Sequence, residues 1–457
     1  MKNYGIVISL LLLLFLSGCG KDPVGPEDTN DTTEIPEPPT PFGKVPVLSD
    51  MVIYEVNFMA FGPSCTINDV LARIDSIKAL GVNVIWLMPI FPEGEVNGVG
   101  SPYAVQDYLA VNPDLGTFND LKAFVNKAHE LEMAVILDWV ANHTAWDHPW
   151  IESEDWYSQD GSGNIISPPG TNWNDVADLN FSSSSMRLEM IASMKYWINT
   201  FNIDGFRCDA ADMVPFDFWK QAIDSLEKLP GRNLILLAEG SRTDHFTAGF
   251  QMTFSWDFQT ALKNIYRNGA GASTIFQVNA SEYNSVPEGK EKLRYITNHD
   301  IYAWEAPLSD QFVSDDGSLS AFVATAFMDG VPLICSGQEI AFPYNISFFE
   351  PNPLNWTQNA DIINKYKKVM TIRALLPEIR TGNLVTYNND DVLIFKRITI
   401  ESELLIINNV RNTQLTISLP EEIIDSNWQN QWDQSELELG TELLLEPYEF
   451  ILAKRSL

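Results

Sequence analysis

Acidic residues follow directly on apolar, strand-like runs at three places in the sequence. The first run ends in Arg207, Cys208 and Asp209, and because side chains alternate along a strand, Arg207 and Asp209 point to the same side. An arginine beside a carboxylate favours its ionised form and fixes its orientation, as a nucleophilic carboxylate requires. An isolated pair of this kind is more often a structural ion pair, so its neighbours must decide its meaning.

The other two places supply a candidate general acid and a third carboxylate. Residues 234–238 are purely apolar and lead to Glu239, and such surroundings raise a carboxyl pKa, which suits a general acid. A later run ends in His299 and Asp300. Retaining glycoside hydrolysis needs one ionised and one protonated carboxyl about 5–5.5 Å apart, and a further carboxylate can hold sugar hydroxyls. Asp209, Glu239 and Asp300 together predict this chemistry.

Short apolar runs alternate with helix-length segments around these acids. This order is typical of a parallel sheet wound with helices, and eight such runs fit a (β/α)8 TIM barrel of the α/β class. The predicted strands are 51–57, 82–88, 134–138, 203–209, 234–239, 250–256, 293–297 and 331–336, and the predicted helices include 67–80, 118–132, 184–201, 216–228 and 319–328. The carboxyl ends of barrel strands share one face, which would bring the three acids together.

The barrel is predicted over residues 47–380. It contains one conspicuously long strand-to-helix connection, about 141–180 after the third strand, and long loops in compact domains are usually functional. Residues 381–457 show alternating strands without helices, which predicts a small antiparallel, sandwich-like β-domain.

The N-terminal segment predicts export and attachment to a membrane. The apolar run 6–16 is shorter than a membrane span and suits a signal peptide. It is followed by Ser17, Gly18 and Cys19, which resemble the lipobox of bacterial lipoproteins and predict residues 1–19 as a signal peptide with Cys19 as the lipid attachment site. Residues 20–46 are acidic and proline-rich and predict an extended tether. We therefore expect an outer-membrane lipoprotein, surface-exposed or periplasmic, held to the membrane only through its N-terminal lipid.

Charge and motif content exclude several other functions. The 61 acidic and 29 basic residues give a net charge of −32, which repels nucleic acids and anionic lipid surfaces. The sequence contains no phosphate-binding, dinucleotide-binding or GxSxG motif, so it lacks the residues that kinases, dehydrogenases and α/β-hydrolases require. Cys65, Cys208 and Cys335 form no CxxC pattern and predict buried free thiols rather than disulfides or a zinc site.

Four strings resemble the motifs of the alpha-amylase family, glycoside hydrolase family thirteen. They are 138–143 (DWVANH), 205–209 (GFRCD), the lone Glu239 and 298–300 (NHD), and they occur in the order and spacing of that family. Weaker supporting strings lie at 81–89, 101–103, 107–108, 178–180, 330–332 and 337–339, so the resemblance covers roughly residues 45 to 380. The combination is far more specific than any one string.

The resemblance implies a role for each residue of the predicted site. It implies Asp209 as nucleophile, Glu239 as acid/base and Asp300 as transition-state stabiliser, with Arg207 orienting Asp209. The remaining implied residues touch the sugar in the cleaved subsite or support the site: His143 and His299 bind hydroxyls, Tyr103 stacks beneath the ring, and Asp138 holds Arg207 and the loops.

The resemblance is incomplete in two places. Asp212 and Met213 stand where many family members have a Lys-His pair that grips the sugar beyond the scissile bond. Asn142 and Asp178 match calcium ligands of the family, but with the altered residues after the nucleophile a structural calcium stays open and no metal ligand is assigned. No cofactor is required for the chemistry itself.

The sequence thus predicts a monomeric retaining hydrolase acting on α-1,4-linked glucans such as starch or maltooligosaccharides. Three alternatives stay open: an α-1,6-acting or neopullulanase- or cyclomaltodextrinase-like hydrolase, a glucanotransferase, and a non-catalytic glycan-binding relative. Retention of all three acids argues against the last.

Overall fold

Eight parallel strands close into a barrel, which confirms the predicted (β/α)8 fold. A computed structural model describes residues 39–424 and 426–457. The barrel order is β1-β2-β3-β6-β7-β8-β9-β10, and β10 pairs back onto β1. The strands are β1 Ile53–Val56, β2 Val84–Leu87, β3 Ala134–Val140, β6 Gly205–Asp209, β7 Ile235–Ala238, β8 Met252–Phe254, β9 Glu291–Arg294 and β10 Val331–Cys335.

Helices surround the barrel and fill the connections between strands. They are α1 Ile67–Leu71, α2 Ile74–Lys78, α3 Phe118–Glu130, α4 Ser184–Phe201, α5 Phe216–Leu226, α6 Asp244–Ala248, α7 Trp256–Asn268, α8 Thr274–Tyr283, α9 His299–Trp304, α10 Leu308–Gln311, α11 Asp315–Phe327, α12 Ala360–Leu375 and α13 Glu378–Thr381. The single helix predicted over 67–80 is wrong. The chain tightens at Arg73, whose N–H bonds to Val70 O three residues back, and this interrupts the α-helical pattern.

Alternation along the strands separates two apolar layers. Ile53, Trp86 and Leu237 belong to a core inside the barrel, whereas Phe206 and Cys208 pack outward against the helices, as the sequence predicts. Cys65, Cys208 and Cys335 are all buried free thiols, which is also confirmed. The glycine that opens β6 allows a close approach between strands, because a Cβ at Gly205, with φ +151°, would lie 1.9 Å from Ile235 O.

More than one strand-to-helix connection is long, so the prediction of a single one is wrong. The insertion after β3 carries the short antiparallel strands β4 His143–Ala145 and β5 Val176–Asp178. The connection from β2 to α3, residues 88–117, is of similar size and bonds to the insertion: Ala145 N–H donates to Val105 O at 2.9 Å. Asp147 accepts from Glu95 N at 2.8 Å and from the Gln106 amide at 3.0 Å. The two loops stabilise each other above the barrel.

The end of the predicted tether lies against the barrel rather than apart from it. Phe42 stacks on His129 with a centroid distance of 4.1 Å, and Phe42 and Val45 pack onto the core inside the barrel. Asn202 donates to Thr40 O at 3.0 Å, and Lys44 pairs with Glu132. Because these barrel residues precede strands, residues 39–46 cover the amino-terminal ends of the strands. Residues 39–46 are therefore not a solvated tether, since these contacts cover apolar side chains that a tether would expose. The predicted signal peptide and Cys19 lie outside the described residues.

Antiparallel sheets form the C-terminal part of the chain. Its strands are β11 Asn383–Tyr387, β12 Val392–Ile398, β13 Ser402–Asn409, β14 Leu415–Ser418, β15 Ser426–Asn430, β16 Glu436–Leu439, β17 Glu442–Leu445 and β18 Phe450–Ser456. Six strands make one sheet, and β14 and β17 make a second. One face of β12 and β13 packs against the small sheet and the other against the barrel helices. Among the described residues, no helix has the length and hydropathy needed to cross a membrane.

Candidate active site

The buried Arg207 is the centre of a cluster of carboxylates at the carboxyl ends of the strands. It is fully buried, and its Nη1 donates to Asp138 Oδ1 at 2.8 Å and to Asp209 Oδ1 at 3.0 Å. Its Nη2 lies 2.8 Å from Glu239 Oε1, as an ion pair rather than an aligned hydrogen bond. Strand register explains this convergence, because Asp138 on β3 is the neighbour of Arg207 on β6. One guanidinium therefore contacts three acids from three neighbouring strand ends.

The backbone links the segments that follow β6 and β7. Glu239 N–H donates to Cys208 O at 2.9 Å, and Ala210 N–H donates to Glu239 Oε2 at 2.7 Å. Ala210 has φ +42°, a left-handed conformation that is uncommon for a residue with a Cβ and tends to occur at functional sites. In this conformation the N–H of Ala210, the first residue after β6, points at the Glu239 carboxylate. Both oxygens of Glu239 consequently face donors.

Six of the seven predicted catalytic and substrate-binding residues line one cavity of about 890 Å³: Tyr103, His143, Asp209, Glu239, His299 and Asp300. The seventh, Arg207, lies beneath it. Asp300 is the most open of the acids, with 47% of its side chain exposed. The structure thus brings the predicted residues together, and their individual roles stay predictions.

The two histidines of the cavity differ in charge. Burial lowers the pKa of His143 to about 4, so this ring is neutral at ordinary pH. Burial also lowers the pKa of His299, but Asp300 and Glu55 more than offset this and raise it to about 9. His299 Nδ1 lies 2.5 Å from Glu55 Oε1, and Tyr103 Oη lies 2.7 Å from its Nε2. The ring of Tyr103 stacks on that of His299.

The electrostatics of Asp209 differ from the sequence expectation. Burial raises the pKa of Asp209 well above its ordinary value; Arg207 lowers it, and the charges of Glu239, Asp138 and Asp300 raise it again. Arg207 acts in the direction expected from the sequence, but one guanidinium is shared among several carboxylates. The surroundings of Asp209 therefore oppose its ionisation.

Sequence reasoning missed Glu55 and the aromatic walls of the cavity. Glu55 lies inside the first strand between apolar residues and belongs to no motif quoted above. Trp173 comes from the insertion after β3, Trp304 is the last residue of α9, and Phe349 comes from the loop after β10. Trp304 is 65% exposed although its ring contacts Phe348 and Phe349. For the aromatic walls, the sequence signal was the tryptophan content of the long insertion, which includes Trp173.

Asp212, one of the two departures from the family pattern, turns away from the cavity. Its carboxylate accepts from the backbone N–H groups of Ser241 at 3.0 Å and Arg242 at 3.2 Å, and lies 2.7 Å from His245 Nε2. These hydrogen bonds and His245 lower the pKa of Asp212, although burial acts against them. Asp212 therefore holds the loop that follows Glu239 rather than a sugar.

Asn142 and Asp178, which match calcium ligands of the family, line a second cavity. Asn142 and Asp178 share its wall with Arg187, Met213 and Asp217, and Arg187 forms an ion pair with Asp217. Calcium takes six to eight oxygen ligands. Within 39–424 and 426–457, no three acidic, histidine or cysteine side chains are grouped so that they could hold a metal. With a guanidinium already on this wall, the donor set does not fit calcium.

Comparison with known proteins identifies the family of the chain. Residues 52–165 and 170–370 match the family model described as alpha amylase, catalytic domain. The chain belongs to the alpha-amylase family. Alpha-amylase family relatives and structural neighbours are glycoside hydrolases, and the chain is an enzyme of that class.

Similar alpha-amylases come from several organisms. One from Haloarcula japonica is 28% identical over 311 residues, which are 64% of this chain but only 44% of that protein. One from Dictyoglomus thermophilum is 24% identical over 448 residues, with 83% of this chain and 88% of that one covered. The crystal structure of a maltogenic alpha-amylase from Thermotoga neapolitana has a TM-score of 0.80 at 26% identity, covering 90% of this chain and 99% of that one.

Proposed function

We propose that this alpha-amylase family enzyme hydrolyses α-1,4-linked glucans with retention of configuration. The observation that carries the proposal is the shared guanidinium, whose two terminal nitrogens contact Asp209 and Glu239. The two carboxyl groups lie about 5–5.5 Å apart in retaining enzymes and roughly 6.5–9.5 Å apart in inverting enzymes, which need room for a water molecule. Two acids that contact the same guanidinium favour the shorter, retaining distance.

In the first step, Asp209 attacks the anomeric carbon while the glycosidic C–O bond breaks and Glu239 gives its proton to the leaving oxygen. Asp209 Oδ1 is held by Arg207, and Oδ2 has no hydrogen-bond partner in the part of the chain that is described, so Oδ2 is the oxygen free to attack. In the second step, Glu239 removes a proton from water, the water oxygen attacks the same carbon, and Asp209 is released. Two inversions leave the configuration unchanged.

The walls of the cavity support a neutral sugar polymer as substrate. Trp173 on one side and Trp304 with Phe349 on the other present aromatic faces at the rim of a cavity whose floor carries carboxylates. Sugar rings stack on such faces, and hydroxyls can bond to the neutral His143 and to Asp300. An anionic substrate would be repelled by the acids. The similarity to maltogenic enzymes of Thermotoga neapolitana and Bacillus subtilis also favours α-1,4-linked glucans.

A substrate panel tests bond specificity, and product anomers test the mechanism. Amylose, maltooligosaccharides, pullulan, isomaltose and cyclodextrins should be offered at equal mass, and we expect the highest kcat/KM on maltooligosaccharides or amylose. Fastest turnover of isomaltose, or of the α-1,6 links of pullulan, would contradict the α-1,4 assignment. Proton NMR during the first minutes should show the α-anomer before mutarotation, and initial release of the β-anomer would contradict retention.

We also propose that the enzyme is a monomer and a lipoprotein of the bacterial outer membrane. The support is the sequence of the N-terminal segment, with its short apolar run, Cys19 and the proline-rich residues that follow. One acyl chain binds a membrane only weakly, so stable anchoring requires more than one chain on the cysteine. Metabolic labelling with a fatty acid, and fractionation of the membranes, would test this location.

A further inference from the structure

Glu55 is a buried acid that the proposed mechanism does not use. It lies on β1, is fully buried, and points into the barrel like Ile53 two residues earlier. Its Oε1 lies 2.5 Å from His299 Nδ1 and also accepts from His299 N–H at 3.3 Å. Its Oε2 makes no aligned hydrogen bond in the described residues, but the thiol of Cys335 on β10 lies beside the carboxylate, whose charge raises the pKa of that thiol. A buried carboxylate in this state needs a nearby positive charge.

The hydrogen bonds beyond His299 fix where its protons lie. Asp138 accepts from Trp86 Nε1 at 3.1 Å and from Arg207 Nη1 at 2.8 Å, two groups that can only donate. Asp138 is therefore an acceptor, and Tyr103 Oη, 3.2 Å from it, gives its single proton to Asp138. The phenol oxygen must then accept from His299 Nε2. With Nδ1 facing Glu55, both nitrogens of the ring carry protons.

We propose that Glu55 is a positioning residue that holds His299 as an imidazolium for α-glucan binding and charge balance in the active site. Four carboxylates, Asp138, Asp209, Glu239 and Asp300, lie around the reacting centre, and Arg207 supplies a positive charge among them. A second cation at His299 reduces the excess of negative charge and directs an N–H toward the cavity. The charge of His299 does not depend on the proposed function. Only its effect on α-glucan binding rests on that function.

Charged and titratable groups surround His299 on several elements. Glu55 comes from β1, Asp138 from β3, Asp300 from α9, Tyr103 from the loop after β2 and Arg207 from β6; the three carboxylates favour the imidazolium and Arg207 opposes it. Trp86 and Phe348 contact the ring with uncharged rings. Loss of the Glu55 charge removes the carboxylate that directly contacts Nδ1 and leaves Asp138 and Asp300.

The Glu55→Gln variant isolates this charge, because Gln keeps the size of the side chain and an oxygen that accepts from Nδ1–H. We expect the pKa of His299, read from the pH dependence of its nitrogen-15 ring signals, to fall by about 1–3 pH units, the usual effect of an opposite charge at this distance. Glu339→Gln is the matched control: Glu339 is also buried, accepts from Tyr54 Oη at 2.8 Å, and its replacement should leave the pKa of His299 unchanged. An unchanged pKa of His299 in Glu55→Gln, or an equal fall in both variants, would overturn the proposal.

A measurement on the wild-type protein needs neither folding of a variant nor turnover. Nitrogen-15 NMR of histidine-labelled enzyme, with the His299 signals assigned by their loss in His299→Gln, should show both ring nitrogens protonated at pH 7.5. A neutral ring at that pH would overturn the proposal. Because no substrate is present, failure of the α-glucan assignment would leave this result unaffected, and the two ideas can fail separately.

Discussion

Replacing each of the two central acids by its amide should separate activity from stability. Asp209→Asn and Glu239→Gln each replace one carboxyl group of the cluster around Arg207. Both should reduce kcat by about three orders of magnitude or more, because each removes a group needed at the reacting carbon. Their effects on stability should differ, and the hydrogen bonds explain why.

Asp209 accepts a hydrogen bond through only one of its oxygens in the described residues. An asparagine can therefore keep the bond from Arg207 and turn its NH2 toward the cavity. The raised pKa of Asp209 means that its ionisation costs stability. This cost is absent at low pH and grows as pH rises above the ordinary carboxyl pKa. We expect Asp209→Asn to gain about 1–2 kcal/mol at pH 7, the usual scale for relief of active-site strain. Its Tm should rise by a few degrees.

Glu239 uses both oxygens, so Glu239→Gln must point its NH2 at either Arg207 Nη2 or Ala210 N–H. A buried N–H group that faces another N–H group has no acceptor, which lowers the stability by about 1–3 kcal/mol. This loss offsets or exceeds the stability gained when the repulsion among the carboxylates is reduced. Calorimetry and urea unfolding at pH 5 and pH 7 measure both differences. A Tm of Asp209→Asn below wild type, or a larger gain for Glu239→Gln, would refute this reasoning, and so would either variant with more than about a tenth of wild-type activity.

Four further measurements probe other parts of the molecule. Cys208→Ala should lose about 1 kcal/mol of stability with kcat nearly unchanged, because the thiol packs outward, and a collapse of kcat in the folded variant would contradict this. Cys19→Ala should release soluble, active enzyme from cells, whereas continued recovery in the membrane fraction would argue against lipid attachment. Excess EDTA should leave Tm and activity unchanged, since the donor set near Asn142 does not fit calcium. The pKa of about 9 for His299 should make wild type lose about 3 kcal/mol as pH rises from 6.5 through 9, a loss absent in His299→Gln by urea unfolding.

The strands and the clustered acids could be predicted because both follow from local patterns. Apolar runs ending in Asp209 and Glu239 identify strands and their carboxyl ends, and the barrel rule then places the acids together. Glu55 could not be predicted, since its partner His299 is 244 residues away and Glu55 itself interrupts an apolar strand without a motif. Trp304 was missed for a similar reason: its role depends on which loops meet across the barrel mouth.

One sequence expectation failed where long-range contacts override local composition. Proline and acidic residues up to position 46 suggest an extended tether, but Phe42 stacks on His129 and packs on an apolar surface under the barrel. The role of Asp212 could not be predicted for the same reason, because its carboxylate bonds to Ser241 and Arg242 in the neighbouring loop. In both cases the partner is distant in sequence, and composition carries no information about it.

The contacts of residues 39–46 also determine how the enzyme can be attached to a solid support. Arg232 donates to Pro39 O at 3.2 Å, so the chain enters the barrel on the face opposite the catalytic cavity. A tag, resin or electrode coupled ahead of residue 39 would pull on this face and leave the cavity open to solution. Coupling through the loops at the barrel mouth would cover it. Immobilised preparations joined through the N-terminal side should therefore keep their activity on large, insoluble granules as well as on short oligosaccharides.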